Sequence, residues 1–163
     1  MLDIRAGFST AVGSRPRNED FAAAARLLLG GEVCVVAAIA DGVGGAAGGD
    51  VAAEIAVRGF IDGIDGQAPL LGTRAAASCS LEAIHRWLQT IGRTDASLAG
   101  MACTFTALIL RGRQAHLVHV GDTRAYRLRD DALDRLTTDH ALTGAGRRHM
   151  LTRAVGAPDL DPA

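Results

Sequence analysis

The spacing of apolar and polar positions changes several times along the chain. Residues 33–40, VCVVAAIA, are apolar throughout and rich in β-branched side chains, which predicts a central strand buried on both faces. From residue 46 to 61 the spacing turns helical. Ala52, Ile55, Ala56 and Phe60 recur at i, i+3, i+4 and i+8, with Val51 beside them. Residues 63–72 read as a loop. Thr73 is placed to cap a second helix over RAAASCSLEAIHRWLQTI. Ala77, Leu81, Ile84, Leu88 and Ile91 form its apolar stripe and Trp87 adds bulk.

The rest of the pattern is mostly β. Residues 2–12 are short and mixed and predict a first strand, followed by SRPRNED, a polar turn containing Pro16. The alanine-rich stretch 21–29 is a helix by propensity, yet its shortness and the following Gly30 and Gly31 leave a strand open. Residues 104–110 predict a strand, RGRQ a hairpin turn and 115–120 a second strand. In that strand Ala115, Leu117 and His119 share one face, and His116, Val118 and Val120 the other. Gly121 and Asp122 make a tight turn, RAYRL resumes the meander, RDDA turns it into LDRL, and a short helix is expected around 147–153. Strands, two amphipathic helices and more strands, without strict alternation, predict an α+β fold with helices packed on antiparallel sheet.

Composition narrows the partners. A chain of 163 residues, 48% hydrophobic, suits one globular domain with a sizeable core. A net charge of −1 offers no broad basic field for nucleic acid or an anionic membrane, and 4% aromatics offer no base-stacking platform. Cys34, Cys79 and Cys103 are odd in number and irregularly spaced, as expected of reduced thiols in a cytoplasmic protein. MLDIRAGFST lacks the apolar core of a signal peptide, and no apolar run approaches the roughly 20 residues that span a bilayer. The segment reads as soluble, without membrane contact.

Candidate chemistry gathers at three polar points. The apolar run ends at Asp41 and passes into ADGVGG. Such a strand end could offer a carboxylate from Asp41 and a carbonyl from Gly42 to a hard divalent cation. It could equally be a glycine-rich connection or an anion-binding turn. Upstream, RPRNED places Glu19 and Asp20 close to Arg15, whose planar fork suits a phosphoryl group, although a surface ion-pair turn has the same composition. Asp122, in HVGDTRAYRL, is either a further metal carboxylate or a group that satisfies turn amides. His140, in LTTDH, suits a structural role bracing the turn better than titration. His85, His116, His119 and His149 show no ligand pattern.

Taken in order, RPRNED, ADGVGGAAGGDVAAE, GMACTFTALIL, HVGDTRAYRL, LTTDH and LTRAVG resemble the metal-dependent type 2C serine/threonine protein phosphatase family, in its bacterial form. The likeness runs from Arg15 to Gly156. It extends to the phosphatase portion of bacterial proteins that also carry a kinase domain. It implies an αββα sandwich of two antiparallel sheets flanked by helices, and makes 21–29 a strand. It implies that Asp41 bridges two Mn²⁺ or Mg²⁺ ions, that Gly42 lends its carbonyl, and that Glu19 and Asp20 bind metal directly or through water. By the same resemblance Arg15 holds phosphate and Asp122 helps hold a third ion. The implied reaction hydrolyses phosphoserine or phosphothreonine in proteins, using a water whose pKa two cations lower. Cysteine phosphatases carry an arginine six residues beyond the nucleophile, whereas this chain has Ala40, His85 and Ile109 at those places.

The chain also departs from the family pattern. Val43 stands where animal members often have a proton-donating histidine, and Ala102 and Cys103 replace a Gly-Thr pair. The family continues past LTRAVG with further strands and two more metal aspartates, in SDG and DN motifs; Asp159 and Asp161 come too early to be either. Residues 1–163 therefore read as the N-terminal two-thirds of one phosphatase domain, lacking the C-terminal strands. Weakened metal binding and association through open sheet edges, as an edge-strand or strand-exchanged dimer, are expected. The alternative function is a catalytically weak or inactive module that binds phosphoprotein or regulates a partner kinase.

Overall fold

The computed structural model describes residues 3–43, 48–142 and 150–157. Four strands form one antiparallel sheet in the order β1-β2-β3-β4: β1 Asp20–Leu29, β2 Glu32–Asp41, β3 Phe105–Arg111 and β4 Gln114–Val120. Two helices, α1 Gly49–Leu71 and α2 Thr73–Thr94, come between β2 and β3 in sequence. A second antiparallel sheet is the hairpin of β5 Tyr126–Arg129 and β6 Ala132–Arg135. The α+β architecture of two antiparallel sheets with helices is thus the one the sequence predicts, and the alanine-rich 21–29 stretch is β.

The sheet buries one face against the helices. In β2, Cys34, Val36, Ala38 and Ala40 are buried, while the alternate positions are not. The run predicted to be buried on both faces is therefore buried on one, and Ile39 is 40% exposed on the other. Apolar composition alone could not distinguish these, because period-2 geometry assigns alternate residues to opposite faces whatever their hydropathy. Phe60 of α1 meets Phe105 of β3 with ring centroids 4.9 Å apart and planes at 57°. Both rings are fully buried, each contributing on the order of 1.5–3 kcal/mol by removal from water. Ala52, Ala53 and Ala56 keep the rest of this α1 face shallow, so the helix lies close to the sheet.

Other expectations need correction. Residues 3–12 form no strand; they are almost entirely exposed, and the apolar side chains Phe8 and Val12 stay 76% and 45% exposed. The loop placed at 63–72 is helix as far as Leu71, because Ile64 and Ala68 continue the buried stripe. Gly63, at the start of that expected loop, lies where a Cβ would collide with the Ser80 hydroxyl of α2, so it serves helix contact rather than a turn. Core burial outweighs the poor propensity of Gly63, Gly66 and Pro69. Thr73 is the first residue of α2 rather than its cap; Gly72 takes the cap position, and the Thr73 hydroxyl accepts from Arg111 at 3.4 Å. Trp87 is 57% exposed and adds little to the core. Of the helix expected at 147–153, residues 147–149 lie outside the described residues. Leu151 bridges Ala141 in extended backbone instead.

Candidate metal-binding site

The site is built where β1 begins and β2 ends. Asp20 and Asp41 are direct partners in the antiparallel register. Opposed residues on one face have Cβ atoms about 5 Å apart, and like charges so placed repel. The Asp41 carboxyl is accordingly pushed up to about 6, first by burial, then by the charges of Asp20 and Asp122 and a hydrogen bond shared with the Asp20 carboxyl; Arg15 pulls the other way. Asp20, Asp122 and Arg15, from three separate segments, therefore all act electrostatically on Asp41.

The backbone around Asp41 is pinned. Its N–H donates to the Thr104 hydroxyl at 3.0 Å, and its carbonyl accepts the Thr104 N–H at 2.8 Å. Thr104 is itself only 2% exposed. The next residue, Gly42, donates its N–H to the Glu19 carbonyl at 3.0 Å, and Val43 donates to the Ala102 carbonyl at 2.9 Å. Gly42 abuts the start of α1: a Cβ there would fall 2.5 Å from the Gly49 carbonyl carbon. On the other side of Gly49, the Glu19 carboxyl carbon lies 3.4 Å from where that residue's Cβ would be. Glu19 is thus brought to the Gly42–Gly49 contact, beside Asp20 and Asp41. Arg15 lies in the exposed turn that precedes β1, its N–H donating to the Val12 carbonyl at 3.2 Å.

Asp122 approaches from the end of β4. Gly121 turns the chain there with φ +104°, and a Cβ on it would lie 2.6 Å from the Thr104 Cβ. Glycine is required twice over, for the left-handed backbone and for the close approach. His140 holds the turn: its N–H donates to the Gly121 carbonyl at 2.7 Å and its Nδ1 accepts the Gly121 N–H at 3.2 Å. Burial lowers the His140 pKa, reinforced by the charges of His119 and Arg153. Nearby, Arg124 binds Asp139 with both prongs of its fork, at 3.1 and 2.7 Å, and Arg135 joins the same carboxylate. Those bonds hold Asp139 below the usual carboxylate range.

The placements divide the sequence-derived candidates. Asp20, Asp41 and Gly42 form one cluster with Glu19 beside it, and Asp122 and Arg15 reach it through their charge. Among the described residues, no group of three histidine, cysteine, aspartate or glutamate side chains is poised to hold a metal ion. Two residues escaped the sequence reading. Thr104 joins Asp41 to Gly121, and His119 sits in a polar network behind Asp122; neither breaks a periodic pattern, so neither left a signal. The buried cysteines are unsuited to nucleophilic work. Cys103 is buried, and burial, then the Asp41 charge, pushes its thiol up to about 12.

A family model described as Protein phosphatase 2C matches residues 11–159. The chain belongs to the protein phosphatase 2C family. It is 30% identical over 163 residues to the serine/threonine protein phosphatase PstP of Mycobacterium tuberculosis, covering 91% of this chain and 30% of that protein. The chain thus spans about a third of the length of that curated relative. The crystal structure of the PstP catalytic domain in complex with two manganese ions superposes with a TM-score of 0.73 at 27% identity, over 91% of this chain and 65% of that one. The crystal structure of a bacterial serine phosphatase bearing a point mutation superposes with a TM-score of 0.75 at 20% identity, over 99% of this chain and 69% of its own, and attests the protein phosphatase 2C fold. Among the described residues no helix is long and apolar enough to cross a membrane.

Proposed function

We propose that the chain carries the acidic half of a metal-dependent protein serine/threonine phosphatase site, in which water displaces the phosphoryl group from phosphoserine or phosphothreonine. The observation that carries this reading is the convergence on Asp41 of Asp20 across the sheet, Asp122 from the β4 turn and the Arg15 charge. A carboxyl raised to about 6 by like-charged neighbours is a group whose ionised form a cation would stabilise. The donor chemistry fits Mn²⁺ or Mg²⁺, which take carboxylate and carbonyl oxygens and keep several waters. Asp20, Asp41 and the Gly42 carbonyl would hold two ions, Glu19 would bind directly or through water, and Asp122 would help hold a third. A divalent cation bound there supplies Lewis-acid lowering of a water's pKa.

The chain's own residues supply the rest. Thr104 fixes the Asp41 backbone through both its N–H and its carbonyl, so the carboxylate is aimed before any ligand arrives. Arg15, in an exposed turn beside the carboxylates, would grip phosphoryl oxygens by its fork and offset their charge. Release of p-nitrophenol from para-nitrophenyl phosphate, and of phosphate from a phosphothreonine peptide, tests the reading. Turnover should require Mn²⁺ and fall by orders of magnitude in Asp41→Asn; equal rates in both proteins would defeat it.

The lack of a three-ligand group among the described residues favours a second reading, a module that binds phosphoprotein with little or no turnover. Phosphopeptide binding without hydrolysis at saturating Mn²⁺ would select it. In either case the partners are phosphorylated proteins, with a serine/threonine kinase as a further partner, in the cytoplasm. The edges at β1 and β4, and the exposed side chains of Leu28 and Ile39, support self-association through the sheet.

A further inference from the structure

Asp122 is flanked by one residue bonded to a histidine and another linked to a second histidine through Thr106. On one side, Gly121 exchanges two hydrogen bonds with His140, one to its backbone and one to its ring. On the other, the Thr123 hydroxyl is 2.7 Å from the Thr106 hydroxyl, which is 2.9 Å from His119 Nδ1. His119 Nε2 is 3.0 Å from the Thr138 carbonyl. That carbonyl can only accept, so Nε2 carries a proton and the ring is fixed in orientation. The Thr106 hydroxyl therefore links His119 to Thr123. The two rings lie side by side, centroids 5.0 Å apart. Residue 106 is on β3 and 5% exposed, so the network is anchored in the sheet.

We infer that His140, backed by the His119–Thr106–Thr123 network, is a positioning residue that holds the Asp122 carboxylate toward Asp41 as a cation ligand. This rests on the metal reading above. An uncontrolled turn after Gly121 would let Asp122 swing, since a left-handed glycine alone does not fix the residue after it. Groups that orient a metal ligand typically alter metal affinity by about tenfold to a hundredfold when removed.

Mn²⁺ binding to the whole chain, measured by titration calorimetry, tests the inference apart from activity. Asp122→Ala should weaken binding, and His140→Ala should weaken it by about tenfold or more. His140→Asn, whose side-chain oxygen can take the place of Nδ1, should restore most of the loss. The double variant should bind no more weakly than Asp122→Ala, because the histidine acts only through the aspartate. A folded His140→Ala protein that binds Mn²⁺ like the unaltered chain, while Asp122→Ala does not, overturns the inference and leaves the metal reading intact. Unaltered binding in Asp122→Ala removes Asp122 from the metal site and the inference with it. Should His140→Ala fail to fold, Thr106→Val carries the test: it cuts the tie to Thr123, and unchanged Mn²⁺ affinity there overturns the inference equally.

Discussion

Thr104 touches both acidic turns of the site. Its hydroxyl takes the Asp41 N–H at 3.0 Å, and its Cβ and methyl carbon each lie 2.6 Å from where a Cβ on Gly121 would stand. A single buried side chain thus sets the distance between the segments carrying Asp41 and Asp122. Replacing Thr104 by Val keeps the shape and removes the hydroxyl, leaving the Asp41 N–H without that acceptor. Urea denaturation should report a loss of about 1–3 kcal/mol. Gly121→Ala should destabilise at least as much, since positive-φ strain of about 1–3 kcal/mol adds to steric conflict with Thr104. Stability equal to the parent in both variants would separate the two turns.

The Asp41 carboxyl should titrate near 6 in metal-free protein, followed by carboxyl carbon chemical shifts. Asp20→Asn and Asp122→Asn should each lower that value, because removing a negative neighbour favours the ionised form. The sign for stability follows. A carboxyl whose folded value is raised contributes stability that is present below its unfolded value of 3.8 and is lost as pH rises through about 6. Metal-free protein should therefore become less stable across that window, and Mn²⁺ should reverse the loss at neutral pH. An Asp41 value indifferent to both asparagine variants would contradict the convergence.

Thiol labelling checks the burial pattern. Cys79 is exposed on α2, whereas Cys34 and Cys103 are buried and burial raises both of their thiols. Ellman's reagent at pH 8 should modify Cys79 alone in the native protein and all the cysteines in guanidinium. Rapid native labelling at Cys103 would place that segment, and the backbone bridge it makes to Gly42, at the surface instead.

Self-association should follow the open face of the sheet. Leu28 is 68% exposed and Ile39 40%, both on strands paired in that sheet. Sizing chromatography should give an apparent mass larger than that of a monomer, shifting toward monomer in Leu28→Lys together with Ile39→Lys. A sharp monomer peak from the unaltered chain would count against association.

Much of this fold was legible in the residues. The uninterrupted run before Asp41, the helical spacing of Ala52, Ala56 and Phe60, and the alternation of 115–120 each correspond to an element observed. Local periodicity suffices there, because a strand or helix shows its buried face through nearest neighbours in sequence. It misled where a residue answered to a distant one. Gly63 opens an expected loop and is a helix contact to Ser80; Thr73 reads as a cap and instead accepts from Arg111.

By itself, then, the sequence determined the central strands, the two helices, their order and the acidic residues at the strand ends, since these depend on composition and spacing along the chain. Only the tertiary structure decided that Asp20 stands opposite Asp41, that Thr104 separates Asp41 from Gly121, and that His140 grips the turn before Asp122. Those relationships join residues far apart in the chain. They are set by strand register and by the packing of side chains in three dimensions, which no local pattern records.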